Sequence, residues 1–235
     1  MAQLFGHHSV LYPFAAFSLA HWTMLAVFAA GSFALYAFRA YLGTHEKAVR
    51  GIFFSGLLVL ESLYHYWLYK AGVWDVSFTL PLQLCSISLI LCLILLASGS
   101  RLIFQIVYFI GIAGALMAVL TPELFFGFPH FRYFQFFITH ILIIWNCLYF
   151  VFVKKYAPTH KGMWLSFLFL NISAGIAYLA NKWTGGNYMF LAYKPSNGSL
   201  IDFLGPYPYY IAALEGIALI IFYLLLLPFA IWNRK

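Results

Sequence analysis

The sequence predicts an all-α polytopic transmembrane bundle of seven helices. Three observations carry that reading: 64% of the 235 residues are hydrophobic, only 8% are charged, and the apolar residues gather into seven long runs bounded by charge, Gly or Pro. An ordinary water-soluble domain would carry about a quarter charged residues, so that class is excluded. The mean hydropathy of +0.89 agrees. Each crossing takes about 20 apolar residues, so one integral membrane domain over 1–235 accounts for the length. The predicted spans are 18–38, 51–69, 80–97, 102–120, 133–153, 162–181 and 209–231. They must be helices, because a lone open strand would leave its backbone groups unpaired in hydrocarbon. Residues 1–17 lack a positive stretch followed by an apolar run and a small-residue cleavage site, so the first run is expected to be kept as a span.

The loops alternate in charge. One side holds Arg39, Lys47, Arg50, Arg101, Lys154, Lys155, Lys161, Arg234 and Lys235, and the other holds Lys70, Arg132, Lys182 and Lys194. Basic residues favour the cytoplasmic side, which puts the N-terminus outside and the C-terminus in the cytoplasm of a multi-pass cell-membrane protein. The net charge of +7 therefore orients the chain and implies no nucleic-acid partner. Cys85, Cys92 and Cys147 all fall within apolar runs and form no disulfide or metal-ligand pattern. The connection 182–208 is long and carries Asn187, Tyr188, Gly205, Pro206 and Pro208 among aromatics, which reads as a folded outer loop or, equally, as an aromatic belt.

Inside a bilayer the polar residues are the informative ones, since a central charge costs roughly 2.5–3.5 kcal/mol even on mild insertion scales. Glu61, His65, His140, Asn146, Asn171 and Glu215 all fall within predicted spans. Counting at 1.5 Å per residue puts His65, Cys85, His140 and Glu215, from four helices, in one layer roughly 7 to 11 Å below the outer surface. Each has a plain explanation as well. A lone membrane cysteine is usually a small packing residue, intramembrane histidines commonly bridge helices, and Glu61 and His65, spaced i and i+4, can satisfy each other. Cys85 and His140 together have a definite chemical meaning. An imidazole can take the thiol proton, and the thiolate can then form an acyl intermediate that splits acyl transfer into two easier steps.

The segment Leu80-Pro81-Leu82-Gln83-Leu84-Cys85, the Thr139-His140 pair and the loop from Asn187 through Leu204-Gly205-Pro206 resemble the YwaF-type integral membrane proteins of Bacillus and their relatives, over most of the chain. That family is similar to an animal branch of membrane lysophospholipid acyltransferases. The resemblance implies Cys85 as nucleophile and His140 as base, membrane lipids as partners, and a lipid or acyl donor as substrate. It assigns no roles to Glu61, Asn171, Asn187 or Glu215; these, with His65 and Tyr188, stand as binding candidates on the residue reading alone.

A second expectation is a proton-coupled transporter or small-molecule receptor that uses the intramembrane carboxylates. A third is an assembly protein, because Gly111, Gly114 and Ala115, and Ser173, Ala174 and Gly175, permit close helix approach, although such residues more often pack the protein's own bundle. No Gly-rich phosphate loop, zinc-type cysteine pair or HExxH helix is present, so neither a soluble cofactor nor a metal is expected.

Overall fold

The computed structural model describes residues 4–7, 11–195 and 200–232; His8, Arg234, Lys235 and residues 196–199 of the long loop lie outside the described residues. Among the described residues the helices run in the order α1 (Leu19–Ala37), α2 (Arg39–Thr44), α3 (Glu46–Lys70), α4 (Leu84–Ser98), α5 (Arg101–Leu120), α6 (Phe131–Phe152), α7 (His160–Thr184) and α8 (Tyr209–Trp232). Each predicted span falls on one of these helices, and α2 is a short elbow between the first two long ones. Five helices, α1, α5, α6, α7 and α8, are long and apolar enough to cross a membrane.

The other two long helices differ for physical reasons. α3 has 25 residues but carries Glu46, Lys47, Arg50, Glu61 and Lys70 along them. α4 has only 15 residues. At 1.5 Å per residue it is about 22 Å long, short of the roughly 30 Å hydrocarbon thickness. The predicted start at Leu80 is therefore corrected to Leu84: residues 80–83 form a turn in which Leu82 N–H donates to Leu80 C=O. Pro81 in that turn has no N–H to donate.

α5 and α6 form the centre. The apolar stretch of α5 is 61% buried and that of α6 is 72%, against 17% for α1 and 11% for α8. α5 packs on α4, α6, α7 and α8, while α6 packs on α1, α3, α4 and α5. α1 lies close against α6 because Gly31 has no side chain: a Cβ there would sit 1.9 Å from the Trp145 ring. Trp145 Nε1 then donates to Ser32 Oγ at 3.1 Å.

The end of the bundle that carries the 182–208 loop, called here the loop end, is closed by the N-terminal segment. Phe14 N–H donates to Phe125 C=O at 3.1 Å and Gly127 N–H to Tyr12 C=O at 2.6 Å. Trp67 Nε1 donates to Phe5 C=O at 2.7 Å. His130 caps α6 by accepting the Arg132 N–H at Nδ1, 3.0 Å away. Its Nε2 donates to Gly6 C=O at 2.8 Å. At the opposite end Arg50 caps α4. Its Nε donates to Leu96 C=O at 2.7 Å, and its Nη2 reaches Ala97 C=O at 3.1 Å. Glu46 accepts from Arg50 at 3.0 Å and from Lys154 at 2.7 Å, which ties α3 to the end of α6.

His130 makes the closure of the loop end pH-sensitive. Burial pushes its imidazole below the ordinary value, although the bond to Gly6 works the other way. Protonation would add a hydrogen to Nδ1, which now accepts one. The unfolded chain therefore binds the proton first, so the contribution is fully present above the ordinary histidine value of about 6.5 and fades as pH falls below it. Melting curves of wild type and His130→Gln should diverge most at neutral pH and converge on acidification. The neutral-pH difference should be about 2–4 °C, the equivalent of one net hydrogen bond in a chain of this size.

Candidate functional site

Cys85 is the second residue of α4, so it occupies the first helical turn. The N-cap residue Gln83 makes no side-chain capping bond. Its Oε1 instead accepts the Met189 N–H at 2.9 Å. The first-turn N–H groups of α4 thus have no side-chain acceptor among the described residues, and the positive end of the helix dipole lies beside the Cys85 sulfur.

The height of Cys85 in the bundle follows from three contacts in register. Deepest, Cys147 Sγ lies 3.6 Å from Val107 C=O and meets Cys92, which joins α6, α5 and α4. In the middle, a methyl group on Gly111 would lie 3.3 Å from Ile143 Cγ2 and 3.7 Å from Ser88 Cβ. Nearest the loop end, a methyl group on Gly114 would lie 3.2 Å from Leu84 Cδ2 and 3.7 Å from Cys85 Sγ. Along α4 the steps are Cys92, Ser88, Cys85, and along α5 they are Val107, Gly111, Gly114, four residues and then three in each case. The same steps on α6 run from Cys147 to Ile143 to His140. Seven residues return a side chain to nearly the same helix face, about 10 Å further along. His140 therefore stands at the level of Cys85 on an adjacent helix.

His140 is 8% exposed. Its Nδ1 is 2.6 Å from Phe136 C=O. A carbonyl can only accept, so Nδ1 carries the hydrogen and the neutral ring keeps its lone pair on Nε2. That nitrogen makes no hydrogen bond among the described residues. No hydrogen bond joins Cys85 to His140 among them either.

Glu61 and His65 form a second polar pair at this height. Eleven residues separate Arg50 from Glu61, and eleven separate Leu96 from Cys85, on helices that run in opposite directions. Glu61 lies on the inward stripe of α3, one turn from buried Leu57 and two turns from buried Leu68. Its Oε1 is 3.5 Å from His65 Nε2, with side chains 24% and 33% exposed respectively. Trp74 Nε1 donates to His65 Nδ1 at 3.2 Å. Indole nitrogen is donor only, so the neutral His65 holds its hydrogen on Nε2, towards Glu61.

The remaining predicted residues lie elsewhere or are engaged. Asn171 Nδ2 donates to Glu215 Oε2 at 3.1 Å and to Phe167 C=O at 3.0 Å, in the seam between α7 and α8. Asn187 closes its own loop, with Nδ2 donating to Tyr193 C=O and Oδ1 accepting the Ala192 and Tyr193 N–H groups. Tyr188 is fully buried. Its hydroxyl donates to Val76 C=O at 2.5 Å and accepts from Leu80 N–H at 2.9 Å, while its backbone is clamped by the Asn181 amide. It thus fastens the long loop to the 71–83 segment that leads into α4. Between those segments lies a cleft of about 270 Å³ lined by Ser77, Phe78, Gln83, Glu123, Asn187 and Tyr193; Gln83 is two residues before Cys85 in the chain. A larger groove of about 870 Å³ lies at the opposite end, around Glu46, Lys47 and Arg50. Among the described residues no three His, Cys, Asp or Glu side chains converge as metal ligands.

Sequence reasoning missed His21, which is fully buried. Its Nε2 donates to Val119 C=O at 2.9 Å and its Nδ1 accepts Phe17 N–H at 3.0 Å, so it is a tie between α1 and α5. It stands only two residues into the helix, at the edge of the first apolar run, and nothing in its spacing marked it. The recessed start of α4 was also missed, although Pro81 was the available signal.

Five helices long and apolar enough to cross a membrane, with α5 and α6 the buried pair among them, define a multi-pass membrane protein. The TMEM164 family model matches residues 16–226. The chain belongs to the TMEM164 family. Comparison with curated proteins and with solved structures gave no match.

Replacing Tyr188 by Phe removes one donor and one acceptor from a buried site and leaves Val76 C=O and Leu80 N–H without that partner. The expected cost is about 1–3 kcal/mol. It should be read as a lower melting temperature and as faster protease cleavage in the 182–208 loop. Unchanged cleavage would show that the hydroxyl does not fasten the loop.

Proposed function

We propose that the chain is a single seven-span domain of the cell membrane, with N-terminus outside and C-terminus cytoplasmic. On this reading it belongs to a YwaF-type bacterial branch of its family and transfers acyl groups between phospholipid and lysophospholipid. α3 and the recessed α4 are the two further spans, the latter completed by the 71–83 segment. Non-helical backbone is tolerated at such depth where protein covers it, as Tyr188 does here.

Cys85 is the nucleophile and His140 the base. His140 Nε2 takes the thiol proton, and the thiolate sulfur attacks the ester carbonyl carbon of a phospholipid. A C–S bond forms, the ester C–O bond breaks, and the departing lysophospholipid oxygen takes the proton back from His140. In the second half an acceptor hydroxyl gives its proton to His140 and attacks the thioester. A new ester C–O bond forms, the C–S bond breaks, and the thiolate recovers the proton. Charge and protons balance without a co-reactant.

The single observation that supports this most is the open lone pair of His140 Nε2 at the level of a cysteine in an uncapped first helical turn. Hydrocarbon disfavours a thiolate, and the N-terminal dipole of α4 offsets that cost. The same N–H groups can receive the oxyanion that develops on the attacked carbonyl. The 182–208 loop covers the cleft through which the polar part of a lipid would reach Gln83. Glu61 and His65 line the same height and serve the acceptor. Glu215 and Asn171, across α5, have no step in the reaction.

Purified protein in vesicles holding a phospholipid with a labelled acyl chain and an unlabelled lysophospholipid should move label to the acceptor. Cys85→Ala should abolish transfer, and His140→Ala should lower it by about 10²–10⁴, the usual worth of a general base. A hydroxylamine-sensitive acyl mass should be found on the Cys85 peptide. Full transfer by Cys85→Ala, with proton-driven uptake lost in Glu61→Gln or Glu215→Gln, would replace the acyltransferase with a carrier.

A further inference from the structure

Asn146, one of the polar residues within the predicted spans, takes no part in the chemistry proposed above. It is 0% exposed, and neither its amide nitrogen nor its amide oxygen has a hydrogen-bond partner among the described residues. Three residues on, the hydroxyl of Tyr149, also 0% exposed, is equally unpartnered. The spacing puts both side chains on one face of α6. That face meets α3: the Phe53 ring packs on Tyr149 with centroids 6.0 Å apart, and one turn further a methyl group on Gly56 would lie 3.3 Å from Leu142.

Three buried polar atoms left unpaired in one seam would each carry the full desolvation penalty, and buried polar groups are nearly always bonded to protein or to ordered water. The donor and acceptor inventory selects the partner. The amide nitrogen repels a cation, the amide oxygen repels an anion, and an apolar group satisfies neither. Water gives and takes, and a buried water makes about three hydrogen bonds to groups of this kind.

We propose that the α3–α6 seam binds internal water, one or two molecules, held by the side chains of Asn146 and Tyr149. The Tyr149 hydroxyl lies within electrostatic reach of Glu46 and Arg50, and the Glu46–Lys154 ion pair closes the same seam at the end opposite the loop. The water extends that polar fastening inward and fixes α6, the helix that carries His140, against α3. The proposal stands whether or not the chain transfers acyl groups.

A structure of the full-length protein in lipid nanodiscs, at a resolution that shows water, should contain a peak within about 2.7–3.2 Å of both the Asn146 amide and the Tyr149 hydroxyl. In Tyr149→Phe that peak should be lost or displaced, and the melting temperature should fall by about 2–4 °C. Adding Asn146→Leu to Tyr149→Phe should cost less than the two single losses summed, because both holders of the water are then gone. No peak in the wild-type seam would overturn the proposal. So would a Tyr149→Phe variant as stable as wild type or more stable, because the hydroxyl would then be an orphan that costs stability.

Discussion

The close approach of α4 to α5 at Gly111 and Gly114 governs the arrangement of the polar residues. With no side chain at either position, Leu84 of α4 packs where a Cβ on Gly114 would be 3.2 Å away and Ile143 of α6 where a Cβ on Gly111 would be 3.3 Å away, and Cys85 and Ser88 line the same faces at 3.7 Å from those points. Helix association in a bilayer has no hydrophobic drive of its own and relies on close packing of this kind. Once the two contacts are made, the heights of Cys85, Ser88 and Cys92 against α5 are fixed. The meeting of Cys92 with Cys147 then sets α6 by the same rule. A one-residue slip of α4 would turn Cys85 by about 100° and carry it away from α5.

A short α4 has a second consequence. The helix starts below the level at which α3 ends, and the chain crosses that gap as irregular backbone. Such backbone needs donors and acceptors supplied by the protein. Asp75 organises it first, accepting Ser77 N–H at 2.7 Å on its carboxylate and Thr79 N–H at 3.0 Å on its backbone carbonyl. Tyr188 and Gln83 then tie it to the long loop from above. The elements that satisfy this segment are thus the same ones that leave the first turn of α4 uncapped. A helix that began at Leu80, with Gln83 inside it, would have buried those N–H groups in its own ladder and moved the dipole away from Cys85.

Much of this architecture was legible in the sequence, and what was not has a physical reason. Apolar runs mark helices because hydrocarbon enforces intrahelical bonding, so the runs 102–120, 133–153 and 209–231 each fall on a helix with ends that agree closely. The run 80–97 misled because Leu80 and Leu82 are as apolar as the helix that follows, and hydropathy does not register a missing N–H at Pro81. Depth counting put Cys85 and His140 at one height for an incomplete reason: Cys85 lies in the first turn of α4 and His140 in the third turn of α6, and only the staggered starts bring them level. Facing was beyond the sequence altogether. Asn171 and Glu215 look as reactive as Glu61 in a list of polar residues, yet their partners lie in the seam between α7 and α8.

The histidines show why packing decides what a residue type leaves open. His21, His65 and His130 each have both ring nitrogens engaged. His21 and His130 each set one backbone N–H against one backbone carbonyl, and His65 sets an indole N–H against a carboxylate. Each is thereby held in one neutral tautomer and serves as a joint between segments. His140 has the same residue type and a similar burial, but its one bond runs back to Phe136 in its own helix, where it joins nothing to anything. A residue that fastened α6 to a neighbour would spend Nε2 on that neighbour. His140 fixes its own tautomer instead and keeps the other lone pair, which is the arrangement a proton acceptor needs and a structural tie does not.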